Sequence, residues 1–369
     1  MIQSYYDKFL EAKKLKKHKE YKKAEIILRR LYDLVPSDIS IKFEFAKTLI
    51  KLDNKEEEGK ELLIELLDTD NRNYSLLLLG KYEGEHSNFS EAHKYLMTLF
   101  DEAHSEYDVA YAILELGRLS VMTKNYKNAR KYFSELIKGN AVNKNYAILE
   151  LGKLEAIEGH YDSARRKFMS LTKASTNDRA YSLFELGKLE TKLGNYDKAI
   201  SYFTSIMAQA LPTKNNAILE IGRIHVFNGN YVKARSFFNR LIGTSNENPA
   251  KLELGKLDVL EGKYEDAKIK FNELKLGSKK DKELATLEKG KLCVLEDQID
   301  EAREQFKSLL NTNTRAYALM ELGLLESLEG NLPLAKHYFQ TIINENLENK
   351  TLAIEELSNL KIYKLRPMK

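Results

Sequence analysis

Along residues 146–171, YAILELGKLEAIEGHYDSARRKFMSL, apolar and polar positions alternate with the period of an α-helix, twice over. Ile148, Leu149, Leu151, Leu154 and Ile157 recur at spacings of three and four, which predicts a helix with one broad apolar face. Gly159 ends it, because glycine readily takes the left-handed conformation of a C-terminal cap. Asp162 stands where it can cap or charge the start of a second helix. That helix turns Tyr161, Ala164, Phe168 and Leu171 to one side, and the small residues Gly152 and Ala164 allow close approach of the pair. Neither helix can bury its apolar face alone, so the unit must stack on others like it.

It does recur. The Gly152 position returns as Ala12, Ala46, Gly80, Gly117, Gly187, Gly222, Gly255, Gly290 and Gly323, in steps of 33 to 37 residues. The Ala164 position returns as Ala24, Ala92, Ala129, Ala199, Ala234, Ala267, Ala302 and Ala335. The Phe168 position returns as Phe133, Phe203, Phe238, Phe271, Phe306 and Phe339. Leu151-Gly152 followed by Gly159-x-Tyr161-x-x-Ala164-x-x-x-Phe168-x-x-Leu171 resembles the tetratricopeptide (TPR) repeat, whose period is about 34 residues. The resemblance implies an all-α, right-handed α-solenoid of about ten helical hairpins over residues 1–345. Residues 346–369 follow as a lone capping helix, TLAIEELSNLKI, and a basic tail. Leu352, Ile354, Leu357 and Leu360 are the expected covering residues of that helix. Residues 37–70 are the least regular repeat, with Glu58-Gly59 where alanine is expected.

Composition narrows the function rather than naming it. Five prolines and no tryptophan suit a helical chain, and the net charge of +4 over 369 residues gives no general attraction to nucleic acid. The lysine-rich 13–23 and the acidic 53–70 are local exceptions, able to pair with each other or to steer a partner. No apolar run is long enough to span a bilayer, residues 1–14 lack the apolar core of a signal peptide, and one cysteine, Cys293, excludes an internal disulfide; together these point to the cytoplasm.

The resemblance implies that first helices line a ligand groove. On that helix Tyr146, Leu149, Lys153 and Ala156 fall on one stripe. The Lys153 position is Lys13, Lys47, Lys81, Arg118, Lys188, Arg223, Lys256 and Lys291 elsewhere, and the Tyr146 position is Tyr6, Tyr74, Tyr111, Tyr181 and Tyr317. The candidate binding residues are therefore Tyr111, Arg118, Tyr146, Lys153, Tyr181, Lys188, Arg223, Lys256 and Lys291, facing a protein or peptide of acidic character. A structural reading stands beside this one. A glutamate lies three residues before most of these cations (Glu44, Glu115, Glu150, Glu185, Glu220, Glu253, Glu288), and such pairs are ordinary helix-surface support.

No catalytic residue, cofactor or metal site is expected. The seven histidines are scattered, His86, His93 and His104 lack metal-site spacing, and Cys293 aligns with Glu155 as a packing position. The glutamates at Glu185 and Glu220 speak against a clamp for a partner's terminal carboxylate. The expected function is a non-enzymatic protein-interaction scaffold of undefined oligomeric state. The alternatives are a helical-repeat RNA reader, resembling pentatricopeptide proteins but lacking their polar base-reading residues, and a peptide-responsive regulator.

Overall fold

The computed structural model describes residues 2–18, 20–139, 141–274 and 277–363. Among them are twenty-one α-helices, a single 3-10 turn at Leu66–Asp68 and no strand. The helices pair into ten hairpins, each a longer or equal first helix and a second one packed back against it. They divide into two compact units, residues 1–217 and 218–369.

In the first unit the hairpins are α1 (Ile2–Lys17) with α2 (Tyr21–Leu34), α3 (Ile39–Leu49) with α4 (Glu56–Glu65), and α5 (Arg72–Glu85) with α6 (Phe89–Glu102). Then come α7 (Glu106–Met122) with α8 (Tyr126–Lys138), α9 (Lys144–Ile157) with α10 (Tyr161–Leu171), and α11 (Thr176–Lys192) with α12 (Tyr196–Ala208). α13 (Lys214–Phe227) carries the division between the units and pairs in sequence with α14 (Tyr231–Asn239). The second unit continues with α15 (Glu247–Leu260) and α16 (Tyr264–Leu274), α17 (Lys279–Leu295) and α18 (Ile299–Ser308), and α19 (Arg315–Leu328) and α20 (Leu332–Asn344). α21 (Lys350–Tyr363) ends the described chain, and residues 364–369 of the basic tail lie outside it.

The repeated glycine is explained by the repeated phenylalanine. A methyl group at Gly152 would lie 2.6 Å from Cε1 of Phe168, and one at Gly187 would lie 2.5 Å from Cε1 and Cζ of Phe203. In seven hairpins the ring of the second helix thus packs against the bare backbone of the first, and Phe133, Phe168, Phe203, Phe238, Phe271, Phe306 and Phe339 are all fully buried. Deleting such a ring would cost about 3–5 kcal/mol. The cores are strings of such clusters, for example Ala129, Phe133 and Leu136 with Ala147, Leu151 and Leu154 across the next hairpin.

Two local expectations need correction and a third is narrowed. Asp162 charges the first turn of α10 but does not cap it: the residue before the helix is His160, with no side-chain cap, and Asp162 pairs with Arg165 at 2.8 Å. Ile157, assigned to the apolar face, is exposed. In α21, Leu352 and Ile354 also point outward. The smaller Ala353, with Leu357 and Leu360, is what packs on Phe339 and Ile342. The helix does lie on α20, where the sequence placed it.

Charged residues of the first two hairpins form ion pairs, none of the following joining residues 13–23 to residues 53–70. Lys16 meets Glu44, Arg29 grips Glu58 at 2.9 Å, Lys55 reaches Glu25 at 2.8 Å and Lys42 reaches Glu65 at 2.9 Å. No helix of the described residues is long and apolar enough to cross a membrane.

Candidate functional site

Most first helices present a similar surface strip. Counting from the packing glycine, the tyrosine lies six residues before it, the glutamate two before, the cation one after and a further residue five after. Steps of four, three and four place all of them on one helix face.

In the first unit the cations and glutamates zigzag between successive hairpins. Lys81 contacts Glu115 at 3.2 Å, and Arg118 holds Glu115 at 2.7 Å and Glu150 at 2.9 Å. Lys153 holds Glu150 at 3.2 Å, and Lys188 holds Glu185 at 3.1 Å. In the second unit the ladder is unbroken. Arg223 bridges Glu220 (2.7 Å) and Glu253 (2.8 Å), Lys256 bridges Glu253 (3.8 Å) and Glu288 (3.7 Å), and Lys291 bridges Glu288 (3.3 Å) and Glu321 (3.5 Å). Burial alone would lower the pKa of Arg118, Arg223 and Lys291, yet the flanking glutamates hold all three above their ordinary values. Glu321, at the open end of the ladder, has its carboxyl pushed up by burial.

Every candidate cation, Arg118, Lys153, Lys188, Arg223, Lys256 and Lys291, has at least one glutamate partner. Of the tyrosines, Tyr181 is exposed while Tyr111 and Tyr146 are half-buried. Tyr111 packs against Tyr107 with ring centroids 4.7 Å apart; the hydrogen bond between their hydroxyls, with burial, pushes the Tyr111 phenol up to about 12. Leu149, placed on this stripe by spacing, is buried and belongs to the core.

Recesses open along the strip of the first unit. One of about 400 Å³ lies between α9 and α11, lined by Lys153, Ala156, Ile157, Glu185, Lys188 and Lys192. Another of about 230 Å³ lies between α5 and α7, where Lys81, Glu115, Arg118 and Met122 meet. Each combines ladder charges with an apolar side chain five residues after the glycine, Ile157 or Met122.

Sequence reasoning missed two repeated features. The first is that apolar side chain: Met122, Ile157, Phe227, Leu260, Leu295 and Leu328 share one register and are all exposed. The aligned column was readable, but an apolar residue at helical spacing looks like core. The second is a buried acid three residues after the glycine. Glu83, Glu155, Glu190, Asp258 and Glu326 are each held by a cation from the second helix of the preceding hairpin: Lys60 (2.8 Å), Arg130 (2.6 Å), Arg165 (2.8 Å), Arg235 (2.8 Å) and Arg303 (2.8 Å). Asn88, Asn195 and Asn331 donate to the other carboxylate oxygen of Glu83, Glu190 and Glu326 at 2.7, 2.7 and 2.8 Å. These are staples between hairpins. Cys293 occupies the same register, is buried, and has its thiol pushed up by that burial, the opposite of an activated nucleophile.

Glu155, Glu158 and His160 bring three possible metal-binding atoms within 4.8 Å of one another. Arg130 contacts both carboxylates and Lys167 reaches Glu155 at 3.5 Å, so the negative charge there is already matched within the protein.

Comparison with known proteins agrees with this architecture. Residues 149–215 match the family model described as tetratricopeptide repeat. No curated protein sequence matches the chain significantly. Among solved structures the chain is similar to a tetratricopeptide repeat protein from Parabacteroides merdae, with a TM-score of 0.52 and 17% identity over 68% of this chain and 98% of that one. It is also similar to PilF of Pseudomonas aeruginosa (TM-score 0.42, 19% identity, 56% of this chain and 92% of that one). A third similar structure is a Rap protein complexed with competence and sporulation factor (TM-score 0.48, 17% identity, 89% and 99%). At these identities the likeness concerns the fold alone. The 33-to-37-residue period, the glycine under each phenylalanine, the paired helices and the family model matched over residues 149–215 show a solenoid of tetratricopeptide-type hairpins.

Proposed function

We propose that the chain is a non-enzymatic scaffold that binds a segment of another protein along its first-helix faces. The observation that carries this reading is the pair of recesses in the first unit, where ladder charges and exposed apolar side chains meet. Such a mixture of apolar surface and fixed polar groups suits peptide recognition. Tyr111, Tyr146 and Tyr181 offer flat amphipathic contact, while Arg118, Lys153, Lys188, Arg223, Lys256 and Lys291 set the register of a ligand's polar groups. Because every one of these cations already holds a glutamate, an acidic ligand must displace an internal partner to be gripped. The geometry therefore favours a partner held mainly by apolar and tyrosine contacts. The same pairing leaves little uncompensated positive charge for an RNA backbone, which supports protein over nucleic acid. The absence of a membrane-crossing helix among the described residues and a buried, unreactive Cys293 are compatible with work in the cytoplasm.

Affinity capture from the native cell tests the reading. Wild-type chain is compared with Tyr146→Ala/Ile157→Asp/Tyr181→Ala, three changes on one strip, before and after nuclease treatment. The reading expects nuclease-resistant protein partners that the triple variant loses while keeping its helical circular dichroism. Partners retained by the variant, or released by nuclease, contradict it.

A further inference from the structure

The second unit carries a surface that the ladder does not explain. Phe227, Leu260, Leu295 and Leu328 end the first helices of four successive hairpins, and they are 73%, 55%, 57% and 74% exposed. Other exposed apolar residues, such as Val232, Ile269 and Leu334, lie on second helices and share no register. Side chains this large, exposed in a repeating row, cost free energy in water and mark an interaction surface rather than a core.

The charged groups beside the row are already engaged with one another in ion pairs. Glu253 is shared by Arg223 and Lys256, and Glu288 by Lys256 and Lys291. An extended ligand lying here would have to draw partners for its backbone N–H and C=O groups from side chains already held in ion pairs, which is costly. An α-helix arrives with those groups already paired. The spacing also fits. α15 packs against α17 and α17 against α19, and packed helices lie about 8–10 Å apart, so the apolar row repeats at about that interval. Seven residues of α-helix advance about 10.5 Å.

Charge narrows the ligand further. The strip holds four glutamates, Glu220, Glu253, Glu288 and Glu321, against three cations, Arg223, Lys256 and Lys291, and Glu321 has the single cation Lys291. At the next cation position stands Leu324 instead. A ligand with acidic flanks would therefore be repelled.

Resting on the scaffold reading above, we propose that the row Phe227–Leu260–Leu295–Leu328 docks an amphipathic α-helix of a partner protein. That helix carries apolar residues at heptad spacing and neutral or basic flanks.

Two displayed peptide libraries test this against the full chain. One fixes apolar residues at heptad positions and randomises the rest; the other has the same composition with a proline every fifth residue. The proposal expects clones from the helical library only, neutral or basic at the flanks, whose affinity falls at least tenfold on Leu260→Asp/Leu295→Asp and is unchanged on Val232→Asp. Enrichment from the proline library, acidic flanks, or indifference to Leu260→Asp/Leu295→Asp would overturn it. Clones that ignore that double variant but are lost on Tyr146→Ala/Ile157→Asp overturn this inference and leave the scaffold reading standing. Failure of both libraries to enrich overturns both.

Discussion

Single residues fix the hairpin geometry by being small or by turning left-handed. At Gly187 a side chain would enter the ring of Phe203, so Gly187→Leu should destabilise the chain by about 1–3 kcal/mol. Hydrogen exchange should show the loss of protection centred on α9–α12, because each hairpin couples mainly to its neighbours; a uniform loss over all described helices would contradict that. The turn after the first helix is left-handed in every regular repeat. Gly159 has φ +85°, and where glycine is missing Ser87, Lys124 and Asp297 take the same place with φ of 64°, 58° and 61°. L-residues are strained there, so Lys124→Gly should stabilise by up to about 1 kcal/mol, read as a raised urea midpoint.

Elements are joined by the staples between hairpins. Glu190 is 1% exposed and receives Arg165 and Asn195. Burial raises the Glu190 carboxyl, but these two donors outweigh it and hold the group below its usual 4.5. A depressed carboxyl contributes stability that is complete above about pH 4.5 and is lost as pH falls through its native value. Arg165→Met should cost about 1–3 kcal/mol at pH 7, less than a fully buried pair because the arginine is partly in water, and Asn195 still donates. The penalty should shrink below pH 4.5, where Glu190 can protonate; an equal penalty at both pH values would show that the arginine acts through packing alone. The hairpins themselves were legible in the sequence, because glycine, alanine and phenylalanine repeat at fixed offsets and each has one physical job. The staples were not, since they join residues some 25 positions apart that sit in different columns of the repeat. The strip was legible in part. The cation and tyrosine columns were visible, but the sequence does not say that Arg118, Arg223, Lys256 and Lys291 each bridge two hairpins, and the exposed column of Ile157 and Leu260 looks like core from its helical spacing.

At the scale of the whole molecule one helical hairpin recurs ten times among the described residues, followed by a lone helix that we propose acts as a lid. Ala353, Leu357 and Leu360 cover Phe339 and Ile342, so deleting residues 346–369 should expose that surface and promote association, seen as concentration-dependent growth in light scattering. A truncated chain as soluble and heat-resistant as the full one would remove the lid from the account. The central claim is that first-helix faces, and not second-helix faces, meet the partner. Site-specific photocrosslinking in the native cell tests it most directly, with a benzophenone side chain placed in turn at Tyr146, Ile157, Leu260 and Leu295, and at Met169, Val232 and Ile269. The account predicts shared crosslinked partners from the first four positions and none from the last three. Crosslinks confined to Met169, Val232 and Ile269 would contradict it.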